Sequence, residues 1–227
     1  MKIKNIILAT LVILTTITLI GRGSLLTGLC NNKNDYIEKE TRSEGSYLML
    51  ANKDNPLDTN YKPDNMVKPK IQFLKNSTNE EKQMTKEAAI AIGELFKSAK
   101  NDNIKLIGTS AYRSYRTQIS IFNKNVKEKG VDYANNYVAL PGKSEHQTGL
   151  AIDVTNESRC FDKTSIEAQW LANNAHKFGF ILRYPEGKED ITGYNYEPWH
   201  VRYVGKVVAA EIYKNNWTLE EYLEINN

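Results

Sequence analysis

Apolar residues recur at three- and four-residue intervals from Lys86 to Ala99, where Ala89, Ile92, Leu95, Phe96 and Ala99 line one side of a predicted amphipathic helix. A second helix is expected from Thr117 to Lys129, closed by Gly130, and a third from Ser165 to Phe178, closed by Gly179. The tail, Gly205 to Trp217 and Thr218 to Ile225, reads as one or two closing helices. Between them lie short apolar runs of strand type: Tyr47–Ala51, Ile104–Ile107, Gly149–Val154, Phe180–Tyr184 and Trp199–Tyr203. Prolines 56, 63 and 69 keep the stretch after the first run extended and irregular. Short strands beside turns and long loops favour an α+β fold, a small antiparallel sheet with flanking helices, over a parallel doubly wound one.

The N-terminus follows a different pattern. After Met1-Lys2-Ile3-Lys4 comes an uncharged run of 17 residues, Asn5 to Gly21, and then Arg22. A basic start before an apolar stretch is an export signal. The run is at the lower edge of about 17–25 residues for a membrane span. Residues 1–30 are therefore read as a signal or anchor, with the remainder on the extracytoplasmic face of the cell membrane. An uncleaved anchor is the first reading and a cleaved, secreted form the second. A lipoprotein at Cys30 is disfavoured, because Leu29 stands where a small residue is expected. Residues 31–45 are polar and form a tether, and residues 46–227 make one domain, expected to be monomeric.

Composition sharpens this only a little. An apolar content of 41% can build a core. The formal charge of +3 comes from Lys2, Lys4 and Arg22, which leaves 27 basic against 27 acidic side chains in the remainder. No clustered basic face is visible, so nucleic-acid binding is not expected. Two cysteines, Cys30 and Cys160, do not make a disulfide framework; both are expected unpaired, with Cys160 partly buried.

The chemistry is concentrated in Ser144-Glu145-His146-Gln147-Thr148-Gly149-Leu150-Ala151-Ile152-Asp153 and in Glu197-Pro198-Trp199-His200-Val201-Arg202. These stretches hold two of the chain's three histidines. Alternation along the two strands sends Leu150, Ile152 and Val154 to the core and leaves Ala151 and Asp153 on the opposite face. The same alternation puts His200 and Arg202 together. If the strands are neighbours, His146, Asp153 and His200 converge on one metal ion, and two imidazoles with one carboxylate suit a catalytic zinc. Glu197, held extended by Pro198, is placed to accept and return a proton as general base and acid. Arg113 could hold a substrate carboxylate or a developing oxyanion.

Other residues are read more plainly. His176 is structural, Trp199 and Tyr112 are packing residues, and Arg202 is a salt-bridge partner or a substrate contact. Arg116 and Gln118 are rim contacts or solvated surface. A serine triad of Ser144, His146 and Asp153 is not expected, since no nucleophile elbow is present.

From about Tyr47 to the C-terminal helix the chain resembles the zinc D-alanyl-D-alanine carboxypeptidases of the VanY type, relatives of the VanX dipeptidases and, in fold, of the hedgehog signalling domain. Ser144, His146, Gly149, Ala151 and Asp153 match one signature. Glu197, Trp199 and His200 match a second, and Tyr112, Arg113, Ser114, Tyr115 and Gln118 a third. The resemblance implies one zinc on His146, Asp153 and His200, with Glu197 as catalytic base. It also implies Arg113 near the scissile bond and Ser144 on the terminal carboxylate of a peptidoglycan stem peptide. Two alternatives stay open: an L,D-carboxypeptidase acting on tetrapeptide stems, and a wall-binding module without catalysis, which would not need Glu197. Ala111 departs from the family glycine before Tyr112-Arg113, and its methyl could crowd the turn that aims Arg113.

Overall fold

A computed structural model describes residues 47–226; the anchor and tether readings fall outside that range. Seven α-helices are found among the described residues: α1 (Lys86–Asn101), α2 (Tyr115–Lys129), α3 (Val131–Tyr137), α4 (Ile166–Asn174), α5 (Glu189–Thr192), α6 (Lys206–Asn215) and α7 (Leu219–Asn226). Strands β1 (Met66–Val67) and β2 (Met84–Thr85) form a small hairpin-like pair. A four-stranded antiparallel sheet runs in the order β3 (Ile107–Ser110), β4 (Ala151–Thr155), β6 (His200–Tyr203), β5 (Phe180–Leu182). The α+β expectation therefore holds.

One face of this sheet is apolar because its strands alternate. Leu150, Ile152, Val154, Val201 and Phe180 pack with Ile92, Leu95 and Ala99 of α1 and with Ala168 and Leu171 of α4. The caps fit the sequence: Ser114 accepts from Thr117 N and Ser165 accepts from Ala168 N, satisfying first-turn donors. A second apolar cluster gathers Ile181, Val204, Val208, Ile212 and Leu219, with Leu48 and Leu50 packed against it. The opposite face of β4 and β6 carries Asp153, His200 and Arg202.

Three expectations are corrected. Tyr47–Ala51 is not a strand: the carbonyls of Tyr47 and Met49 accept from the Arg202 guanidinium, which takes the place of a ladder partner. The strand expected at Ile104–Ile107 begins at Ile107, because Ile104 N is bonded to Ala99 O at the end of α1. Cys160 is exposed rather than partly buried, lying in a loop where its Sγ is 3.5 Å from Asp162 Oδ2.

Gly149 is the glycine that the site's geometry requires. It ends a 3₁₀ turn (Glu145–Thr148) at φ 69°, a left-handed conformation that side chains rarely adopt. A Cβ there would also stand 2.9 Å from Met66 Sδ and 3.0 Å from Pro63 Cγ. Gly149→Ala should cost about 1–3 kcal/mol of stability, the usual penalty of a strained left-handed residue. Urea unfolding of the two proteins measures it, and an unchanged midpoint would contradict the argument.

Candidate active site

In the β4–β6 register Asp153 is paired directly with His200. His200 Nδ1 lies 2.8 Å from Asp153 Oδ1. His146 arrives from the 3₁₀ turn, with Nε2 3.3 Å from Asp153 Oδ2 and its ring 4.9 Å from that of His200, nearly perpendicular at 78°. One ligating atom from each of the three residues lies within 4.8 Å of the others.

The donor set fits a zinc ion. His146 Nδ1 is 2.6 Å from the Ala111 carbonyl. A carbonyl can only accept, so Nδ1 carries the proton and Nε2 presents its lone pair to the cluster. This ring-to-carbonyl bond is the usual way a ligand histidine is oriented. Ala111 itself is fully buried in the core and is not among the left-handed residues, so its methyl finds room in the turn.

Glu145 has no counterpart in the sequence reading. Its carboxylate is completely buried between two equally buried cations: Arg183 Nε donates to Oε1 at 2.7 Å and Arg202 Nη1 donates to the same oxygen at 2.6 Å. Burial alone would raise its pKa, but Arg183 and Arg202 outweigh this and hold it well below the usual carboxylate range. The other oxygen, Oε2, faces His200 Nε2 at 3.4 Å. Arg202 is thus a buried salt-bridge partner rather than a substrate contact. A signal for these residues existed, since an arginine inside each of two greasy strands must find an acid if both are buried. Nothing in one sequence singled out Glu145, which sits next to a ligand and reads as an ordinary turn acid.

A cleft opens over the cluster, and Arg113, Gln118, Ser144, Tyr184, Tyr194, Glu197 and Trp199 line it with His146, Asp153 and His200. Glu197 is 9% exposed. Burial is the main cause that pushes its pKa up to about 7, with the Asp153 charge adding to it and His200 opposing it. Its backbone is pinned by bonds from Glu197 N to Tyr184 O and from His200 N to Glu197 O. Tyr184 stacks on His200 with ring centres 5.0 Å apart and meets Tyr194 at 5.0 Å.

Arg113 reaches deeper than expected. Its Nη2 is 2.7 Å from both His146 Nε2 and Asp153 Oδ2. Ser110 Oγ accepts from Nε, and Gln118 Oε1 accepts from Nη1. Gln118 is not solvated surface: it lines the cleft while buried, and its amide nitrogen donates to Ala139 O at 2.7 Å, so it steadies the guanidinium. Ser144 is buried beside the cleft. Arg116 is exposed and does not line it. Trp199 packs on the core, as expected, and also contributes to the wall. Tyr112 is a buried packing residue. His176 is remote from the cluster, stacked on Tyr213 at 3.7 Å.

The electrostatics make metal uptake pH-dependent. Burial lowers His146, aided by Arg113, to about 4. Burial also acts to lower His200, but the hydrogen bonds its charged form donates to Asp153 and Glu145 win and lift it to about 9. Without metal, His200 therefore holds a proton at neutral pH that a ligating nitrogen must give up. Zinc affinity should rise with pH, roughly tenfold per unit between pH 6 and 8 if one proton leaves. Competition against a chromophoric chelator measures this, and a pH-independent affinity would contradict it.

The comparisons with known proteins agree with this geometry. The family model described as VanY, D-alanyl-D-alanine carboxypeptidase, matches residues 81–206. YodJ of Bacillus subtilis (strain 168), whose carboxypeptidase name is provisional, is 45% identical over 182 residues, which covers 78% of this chain and 67% of YodJ. The solved structure of the LdcB LD-carboxypeptidase is 44% identical, with TM-score 0.71 over 77% of this chain and 84% of that one. A mutant of the vancomycin resistance D,D-pentapeptidase VanY in complex with Zn(II) is 34% identical, with TM-score 0.65 over 78% of this chain and 99% of that one. A chain with this fold, a His–Asp–His group able to hold a metal and this family match is a zinc hydrolase belonging to the VanY family of D-alanyl-D-alanine carboxypeptidases.

Proposed function

We propose that the protein removes the terminal D-alanine from peptidoglycan stem peptides ending in D-Ala-D-Ala, using one zinc held by His146, Asp153 and His200. The observation that carries this reading is a cleft with the three ligands at its floor and Glu197, nearly buried with a pKa near 7, in its wall. When bound, zinc supplies a Lewis acid for the scissile carbonyl and makes water nucleophilic near neutral pH. Glu197 in its ionised form accepts a proton from the attacking water and delivers it to the departing amine. Arg113 binds substrate near the scissile bond, steadied by Gln118, and Ser144 contacts the terminal carboxylate. The family model and the VanY structure support the D,D reading.

An L,D-carboxypeptidase is the second reading, favoured by the likeness to LdcB. A silent wall-binding module is disfavoured, since Glu197 and Arg113 both stand in the cleft. The N-terminal segment, in this proposal, tethers a monomeric domain to the outer face of the membrane, where its substrate lies. Mass spectrometry of purified penta- and tetrapeptide stems after incubation with the enzyme separates the two activities. Loss of one D-alanine from the pentapeptide with the tetrapeptide untouched is expected; cleavage of the tetrapeptide alone would select the L,D reading.

Glu197→Gln keeps size and hydrogen bonding but cannot take a proton. It should retain zinc while kcat falls by about 10²–10⁴-fold. Asp153→Asn should weaken zinc binding itself, because it removes anionic ligand charge. In the wild type kcat/KM should fall with decreasing pH below about 7, where Glu197 becomes protonated. The zinc charge shifts that limb lower still. Loss of metal in Glu197→Gln with normal metal and turnover in Asp153→Asn would reverse the two assignments.

A further inference from the structure

The chain of contacts that begins at His200 does not end at Glu145. Arg183, whose Nε holds Glu145, directs both terminal nitrogens at Glu220 in α7: Nη1 donates to Oε2 at 2.9 Å and Nη2 to Oε1 at 2.6 Å. The arginine side chain is fully buried, and Glu220 is 16% exposed. Two guanidinium cations and two carboxylates thus form a closed, neutral group beside the metal ligands.

Glu220 is fixed in place by its own surroundings. Thr218 and Glu221 cap α7 reciprocally: Thr218 N donates to Glu221 Oε2 at 2.7 Å, and Glu221 N donates to Thr218 Oγ1 at 3.2 Å. That locks the first turn, in which Glu220 lies. Leu219 seats the same turn in the second apolar cluster, where it is fully buried. Asn52 Nδ2 donates to Glu220 Oε1 at 3.1 Å, which ties the segment after Leu50 to the same carboxylate.

We propose that Glu220 is a positioning residue for the metal site, setting zinc affinity from the C-terminal helix through Arg183, Glu145 and His200. The inference rests on His200 being a ligand. With Glu220 present, the Nη groups of Arg183 are satisfied, and Glu145 Oε2 is left to orient His200. Without it, those two groups are buried and unpaired, and the nearest anion they can turn to is Glu145. The cluster also gains a net positive charge next to a site that must accept a dication, and in a low-dielectric interior that charge is poorly screened. Both effects act against zinc, and loss of an outer partner of a metal ligand typically costs about 10–100-fold in affinity.

The test uses the purified full chain with Glu220→Ala, Glu220→Gln and, as a control on the same turn, Glu221→Ala. Zinc Kd is measured by chelator competition, thermal unfolding of the metal-free proteins reports stability, and the absorption spectrum of the cobalt-substituted forms reports ligand geometry. Glu220→Ala should weaken zinc about 10–100-fold and alter the cobalt spectrum. Glu220→Gln, which keeps an acceptor, should be intermediate and remain folded. Glu221→Ala should lower the melting temperature and weaken zinc much less than Glu220→Ala, because it loosens the turn but leaves the Glu220 carboxylate on Arg183. Wild-type zinc affinity in both Glu220 variants would overturn the proposal. So would equal weakening in Glu221→Ala, since the effect would then be helix stability alone. A wild type that binds no stoichiometric zinc would overturn the ligand assignment beneath it.

Discussion

The antiparallel register between β4 and β6 is the constraint on which the site depends. It sets Asp153 opposite His200, and because strand side chains alternate, a slip of β6 by one residue would turn His200 towards the core and away from Asp153. The register is held from the other face, where Leu150, Ile152, Val154 and Val201 are buried against α1 and α4. Apolar burial on one side of the sheet thereby fixes polar geometry on the other. His146 depends on a separate device, the left-handed Gly149 that closes its 3₁₀ turn and returns the chain to β4.

A second layer of charge lies beneath this arrangement. Glu145, Arg183 and Arg202 are all fully buried, and each would be costly alone. Together they satisfy one another and bind elements that are far apart in sequence: Arg202 grips the carbonyls of Tyr47 and Met49, while Arg183 grips α7. The described segment before β1 and the C-terminal helix therefore meet behind the cluster of His146, Asp153 and His200. Arg113 approaches from the cleft side, where the lone pairs of His146 and Asp153 can serve either a guanidinium or a metal ion.

Much of this was legible in the sequence, for stated physical reasons. The period of α1 and the alternation in Gly149–Val154 and Trp199–Tyr203 each reflect a face that is buried, so the ligand residues could be placed together before any coordinates. The short helix α3 was not legible, because it buries Ala134 and leaves Val131, Tyr133 and Tyr137 exposed, so it carries no apolar stripe. Tyr47–Ala51 was misread since an apolar run does not reveal that its carbonyls will be taken by a side chain. Gln118 and Glu145 were hidden for a related reason. Glu145 takes its role from Arg183 and Arg202, distant in sequence, and a polar residue in a turn or helix, Gln118 included, has no local mark that it will be buried.

Zinc K-edge X-ray absorption on the loaded protein tests the central claim most directly. Three protein ligands at His146, Asp153 and His200 predict one zinc with nitrogen and oxygen neighbours at about 2.0–2.2 Å, including scattering from two imidazole rings that falls to one in His200→Ala. A sulfur neighbour at about 2.3 Å, which would point to a cysteine, or a shell without imidazole would contradict it.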